Sequence, residues 1–164
     1  MSATEGLVAA NQRYAKKFGK GGKPMLPAKN VAVVACMDAR IETGRLLGLE
    51  EGDAHVIRNA GGVITDDVIR SLAISQRLLG TTEIVLIHHT DCGMLTFKDD
   101  DLKAQIEVDT GLRPPFALEA FSRLEDDVRQ SIRRIQSSPF LPHKDDIRGF
   151  VYDVETGRLN EINS

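Results

Sequence analysis

Cys36, Asp38 and Arg40 close the stretch VVACMDAR, residues 33–40, at the end of an apolar run. His88, His89 and Cys92 fall together in HHTDCGM, residues 88–94. These two segments hold both cysteines of the chain and two of its four histidines. Thiolate and imidazole are the donors that zinc favours, in tetrahedral geometry. His89-x-x-Cys92 is a short spacing that lets both side chains close on one ion, and Cys36 completes a Cys2His set. Three protein ligands rather than four leave one position open, as a catalytic zinc requires and a structural zinc does not. His88 competes for the histidine role through His88-x-x-x-Cys92. Alternation along a strand allows only one of the two to face the site.

Asp38 and Arg40 are two residues apart in the turn after Cys36. An arginine can grip a carboxylate with two parallel hydrogen bonds, which fixes its orientation and keeps it ionised. Beside a zinc-bound water, such a carboxylate accepts the water's hydrogen and aims the oxygen lone pair at an incoming electrophile. Without a metal, the same pair is an ordinary salt bridge that stabilises a turn. His55 and His143 stand alone and read as packed or surface histidines.

These groups need elements to carry them. Asn30–Ala35 is a continuous β-branched apolar run, the pattern of a strand buried on both faces. Ala54–Arg58 and Glu83–His88 are further strands. Thr65 caps a helix that runs to Gly80, with two acids in its first turn. Phe121, Leu124, Val128, Ile132 and Ile135 form one stripe of a long last helix. Residues 147–154 and 158–162 flank ETG as a hairpin. Residues 99–101, DDD, read as a solvated helix start. Leu7, Val8, Tyr14 and Phe18 mark a helix over residues 4–18, followed by the flexible linker GKGGKP, residues 19–24. Strands alternating with helices predict an α/β domain with a mainly parallel sheet flanked by helices, an N-terminal helical arm and a C-terminal antiparallel edge hairpin. Right-handed crossovers then bring the C-terminal ends of the strands to one edge. Ligands bind beyond those ends, and both candidate segments end strands there.

A chain of 164 residues predicts one domain, here 1–164, with residues 1–22 as arm and linker. A net charge of −3 argues against a nucleic-acid binder. No apolar stretch approaches the roughly 20 residues that span a bilayer. The N-terminus lacks the basic start and apolar stretch of a secretory signal, so a cytoplasmic protein is expected. In a reducing compartment two cysteines suit a metal site or catalysis better than a structural disulfide.

CMDAR followed about fifty residues later by HTDCG resembles the β-class carbonic anhydrases, in their short, plant-type-like bacterial branch. RNAGG at 58–62 and the ending GFVYDVETGRL are also similar to that family, and the likeness runs from about residue 30 to the C-terminus. The resemblance implies one Zn2+ per subunit on Cys36, His89 and Cys92, and so selects His89 over His88. It implies reversible hydration of carbon dioxide to bicarbonate by a zinc-bound hydroxide, with Asp38 and Arg40 as the catalytic pair. Asp38 ligates zinc only in a closed, inactive state. The Gly93 amide becomes a donor to the substrate oxygen, and His55 a candidate for carrying the proton away. It implies a homodimer or a higher assembly, with the N-terminal arm packed on the partner. The alternatives are a carbonyl sulfide or carbon disulfide hydrolase on the same scaffold, and a non-catalytic structural zinc domain. Two features depart from the family. Pro27 and His55 occupy places where plant-type relatives carry a glutamine and an aromatic. The chain also has no tryptophan, so it cannot build the Trp-Arg-Tyr cluster with which one branch binds bicarbonate away from the zinc and closes the site.

Overall fold

A computed structural model of the chain describes residues 2–163. Five strands, β1 (Val31–Cys36), β2 (Ala54–Asn59), β3 (Glu83–His89), β4 (Ile147–Tyr152) and β5 (Leu159–Ile162), form one sheet in the order β2-β1-β3-β4-β5. β1 pairs in parallel with β2 and β3, and β3 with β4. β5 returns antiparallel on β4. The predicted α/β sheet with its antiparallel edge hairpin is therefore present. Parallel pairing sets Cys36 beside Asn59 and His89 beside Tyr152, on one edge of the sheet.

The helices are α1 (Ala3–Ala15), α2 (Thr43–Leu47), α3 (Asp66–Arg77), α4 (Asp99–Thr110) and α5 (Leu124–Ser137). On one sheet face Ala32, Val34, Ile84 and Leu86 pack with Val68 and Leu72 of α3 and Val128, Ile132 and Ile135 of α5. The other face places Val33, Ala35 and Ile87 against Leu46 and Leu47 of α2. Burial on both faces explains why β1 and β3 read as continuous apolar runs. A Cβ at Gly149 of β4 would lie 2.5 Å from Val128, so only glycine lets α5 approach this strand so closely.

Three local features differ from the sequence expectation. The first helix ends at Ala15, because Lys17 and Phe18 bond back three residues to Tyr14 and Ala15 in tight turns. The last helix begins at Leu124, and Phe121 lies three residues before it. α2 is too short for a periodic pattern; its Glu42 side chain accepts from Gly44 N–H at 2.9 Å, and Gly48 ends it in the left-handed conformation.

α1 starts with a capping box between Ser2 and Glu5, yet none of its residues is buried. Leu7, Val8, Tyr14 and Phe18 all face solvent in this chain. Its far end is tethered by Tyr14 and Lys20 to Glu51.

The acidic start of α4 is more than a solvated run. The Asp99 carboxylate accepts from the N–H groups of Leu118, Glu119 and Ala120 at 2.8–3.1 Å. Burial alone would raise its pKa, but these three bonds outweigh it and hold it below the ordinary value. Asp99→Ala should cost about 1–3 kcal/mol, read by urea unfolding. A depressed folded pKa places that stabilisation above the unfolded pKa of about 3.9. The gap between wild type and variant should close as pH falls through the lower folded value.

Candidate metal centre

β1 delivers Cys36 to the sheet edge, and the RNAGG turn after β2 seats the loop that follows. Met37 N–H donates to Asn59 O at 2.8 Å. Arg58 donates from Nε to Cys36 O at 3.0 Å and from Nη2 to Asp38 O at 2.8 Å. Gly61 N–H points at Cys36 Sγ, 3.3 Å away. The next residue, Gly62, has a φ of +70°, and a Cβ there would lie 2.8 Å from Cys36 N and 2.9 Å from Ile87 O. Both reasons demand glycine.

β3 delivers the second half. His88 and His89 point to opposite faces, as strand alternation requires. His89 Nδ1 lies 2.8 Å from Thr90 O, a bond that only a protonated Nδ1 can make. This leaves Nε2 as the free lone pair. It is fully buried and has no hydrogen-bond partner. Cys36, His89 and Cys92 are all buried, and their ligand atoms lie within 4.8 Å of one another. The two cysteines form no disulfide. Their hydrogen bond pulls the Cys36 thiol down and, with burial, pushes Cys92 up. Burial works to lower the pKa of His89, but the proximity of Cys36 raises it on balance. Soft sulfur, an orphaned imidazole nitrogen and a backbone-fixed tautomer are the donor set that suits zinc.

Asp38 sits above this trio. Arg40 donates to it from Nε and Nη2, both at 2.9 Å, and from its backbone N–H at 2.9 Å. The guanidinium holds the Asp38 carboxyl well below the usual carboxylate range. Asp38 Oδ2 also lies 3.7 Å from His89 Nε2, so the carboxylate borders the space that the ligands enclose. Gly93 follows Cys92 at the start of a short 3-10 turn and is open to solvent, with nothing within 4 Å of where its Cβ would be. Ile41, Met94, Leu46, Phe97, Phe121 and Tyr152 form an apolar wall around the cysteines.

The remaining histidines have other partners. His88 is buried, with Nε2 2.7 Å from Asp127 of α5 and its ring against Phe121. His88→Ala should retain zinc but leave the Asp127 carboxylate without its partner, at a cost of about 1–3 kcal/mol in an unfolding titration. Loss of the metal instead would reassign the ligand. His55 is not placed to carry a proton from its own chain's site. It is bonded through Nδ1 to Ser75 Oγ at 2.7 Å, four residues down β2 from the position that pairs with Cys36. That separation is about 13 Å of strand. Pro27 is buried before β1, at the same far end, and His143 is exposed. The roles of Arg58, Gly61 and Gly62 have a weak sequence signal, the paired glycines after a strand. The Asp127 contact has none.

The sequence profile of the carbonic anhydrase family matches residues 31–114. β-Carbonic anhydrase 1 of Mycobacterium tuberculosis is 59% identical over 162 residues, covering 99% of both chains. A carbon disulfide hydrolase of Acidianus is 35% identical, covering 80% of this chain and 76% of its own length. Among solved structures, the carbonic anhydrase of Streptococcus mutans superposes with a TM-score of 0.93 at 44% identity, over 99% of both chains. An edge-mounted Cys-His-Cys trio, on a sheet matched end to end by such relatives, places the chain in the β-carbonic anhydrase family.

Proposed function

We propose that this chain catalyses the reversible hydration of carbon dioxide to bicarbonate and a proton, with one zinc held by Cys36, His89 and Cys92. The observation that carries this reading is the convergence of three buried donors, two sulfurs and one imidazole nitrogen, beside a carboxylate held by an arginine. When bound, zinc supplies a water acidic enough to act as nucleophile near neutral pH. Asp38 accepts a hydrogen bond from that nucleophile and orients it. Arg40 keeps Asp38 ionised and aimed. Gly93 N–H donates to the oxygen that gains charge. The apolar wall favours a small apolar substrate over water.

The carbon disulfide hydrolase reading has less support, since those relatives are 32–36% identical against 59% for β-carbonic anhydrase 1. Stopped-flow hydration by zinc-loaded protein tests the proposal directly. Turnover on carbon dioxide should exceed that on carbonyl sulfide and carbon disulfide. Absence of hydration, with zinc bound, would favour the structural zinc domain.

The reading includes a homodimer, within which residues 1–164 act as one domain and residues 1–22 as an arm on the partner. Its support is α1, whose apolar stripe finds no cover in its own chain. A cleft of about 670 Å3 beside the edge strand β2, bordered by exposed Val56, adds unpartnered surface. Deleting residues 1–22 should weaken or abolish the dimer in sedimentation. An unaltered dimer would place the arm on its own domain. Two cysteines kept as thiolates for zinc suit a reducing, cytoplasmic location. Among the described residues no helix is long and apolar enough to cross a membrane.

A further inference from the structure

Arg40 has a second carboxylate partner besides Asp38. Its Nη1 donates to Asp91 Oδ2 at 2.7 Å, and its Nη2 donates to the main-chain oxygen of Asp91 at 2.9 Å. Asp91 lies between the ligand residues His89 and Cys92. It is one of three non-glycine residues with positive φ among the described residues, at 54°. Left-handed backbone is tolerated by aspartate and asparagine but uncommon elsewhere, and its occurrence in a ligand loop marks a constrained site.

The geometry solves a mechanical problem. Asp38 and Arg40 are neighbours on the β1 loop, so their mutual bonds fix each to the other. Those bonds do not fix the pair to His89 and Cys92, which arrive on the β3 loop. The Arg40 side chain is 46% exposed, so packing does not hold it either. Asp91 supplies the missing link from the β3 loop, with one bond from its side chain and one from its backbone.

We propose that Asp91 is a positioning residue for carbon dioxide hydration: it ties Arg40 to the ligand loop, so that Asp38 stays aimed over the site. This rests on the assignment of Asp38 and Arg40 as the catalytic pair. It also gives Arg40 a fixed place when Asp38 swings toward the metal, because Asp91 retains the guanidinium. The Asp91 side chain is 79% exposed, and exposed pairs add about 0–1 kcal/mol to stability. A purely structural salt bridge therefore predicts almost nothing on removal.

Asp91→Asn is the informative variant, because asparagine keeps the left-handed backbone and the carbonyl contact. Zinc content and melting temperature should match wild type, while kcat falls about tenfold, the scale of residues that support a metal site from behind. In Arg40→Ala protein the same substitution should cost no further activity, because Asp91 acts through Arg40. In metal-free protein, nitrogen-15 NMR should show the Arg40 Nε–H exchanging faster with water in Asp91→Asn than in wild type. Unchanged Arg40 exchange, an unchanged kcat, or a full additional loss in the Arg40→Ala background would each overturn the proposal. Failure of the underlying pair is recognised separately. Full activity in Asp38→Asn would remove both readings, even with Arg40 loosened by Asp91→Asn.

Discussion

Cys36→Ser will leave purified protein with little zinc and carbon dioxide hydration reduced by at least about a hundredfold. A hydroxyl is a far poorer ligand than a thiolate, and loss of even an outer partner of a metal ligand costs about 10–100-fold in affinity. Among the described residues the trio has no spare donor beside it. Cys92 and His89 remain, and Asp38 is committed to Arg40 by two side-chain bonds. Elemental analysis after dialysis and stopped-flow hydration check the result. Zinc retained at one equivalent would show that Cys36 is a buried thiol beside the site and not part of it. The protein should remain folded, since Cys36 ends β1 and its strand is held on both sides by β2 and β3.

Much of this centre was legible in the sequence because strand periodicity and sheet topology determine it. An apolar run ending in Cys36 and another ending in His89 must, in a parallel sheet, finish on the same edge. The choice between His88 and His89 was not legible from the residues, because either spacing to Cys92 is short enough. It depends on which face of β3 turns toward α5, where Asp127 waits for His88. His55, the candidate proton carrier, lies at the opposite end of β2, because strand direction carries it away from the edge that holds Cys36. α2 escaped notice because five residues carry no helical period, and the Asp99 cap because its partners lie about twenty residues away. The exposed apolar stripe of α1 was visible from spacing alone.

The second large effect concerns the carboxylate over the site. Asp38→Asn should keep zinc and lose at least about tenfold in kcat, since an amide can donate where a carboxylate only accepts. Arg40→Ala should lose a similar amount by another route, because it frees Asp38 to reach the metal. One carboxylate cannot serve Arg40 with both oxygens and ligate zinc at the same time, so the open and closed sites compete for one side chain. Near neutral pH the open arrangement should prevail, with Asp38 on Arg40. The chain lacks tryptophan and with it the bicarbonate cluster that closes some relatives. Bicarbonate should then inhibit as a simple product, without cooperativity. A crystal at neutral pH with Asp38 on zinc, or a steep bicarbonate inhibition curve, would contradict this. Full activity in both variants would reduce the pair to a turn salt bridge.

The crowding at Gly62 has a bearing on how this enzyme can vary. A Cβ at this position would fall in the seam between the ends of β1 and β3, against Cys36 N and Ile87 O. A methyl group there would act as a wedge between the two strands that present Cys36 and His89. Backbone atoms, unlike side chains, have no rotamer by which to yield. The geometry of the metal site is thus governed partly by a residue with no side chain and no chemistry. In any library of random variants, Gly62 should tolerate replacement as poorly as Cys36 and His89 themselves, and drift in the surrounding sequence must pass around it.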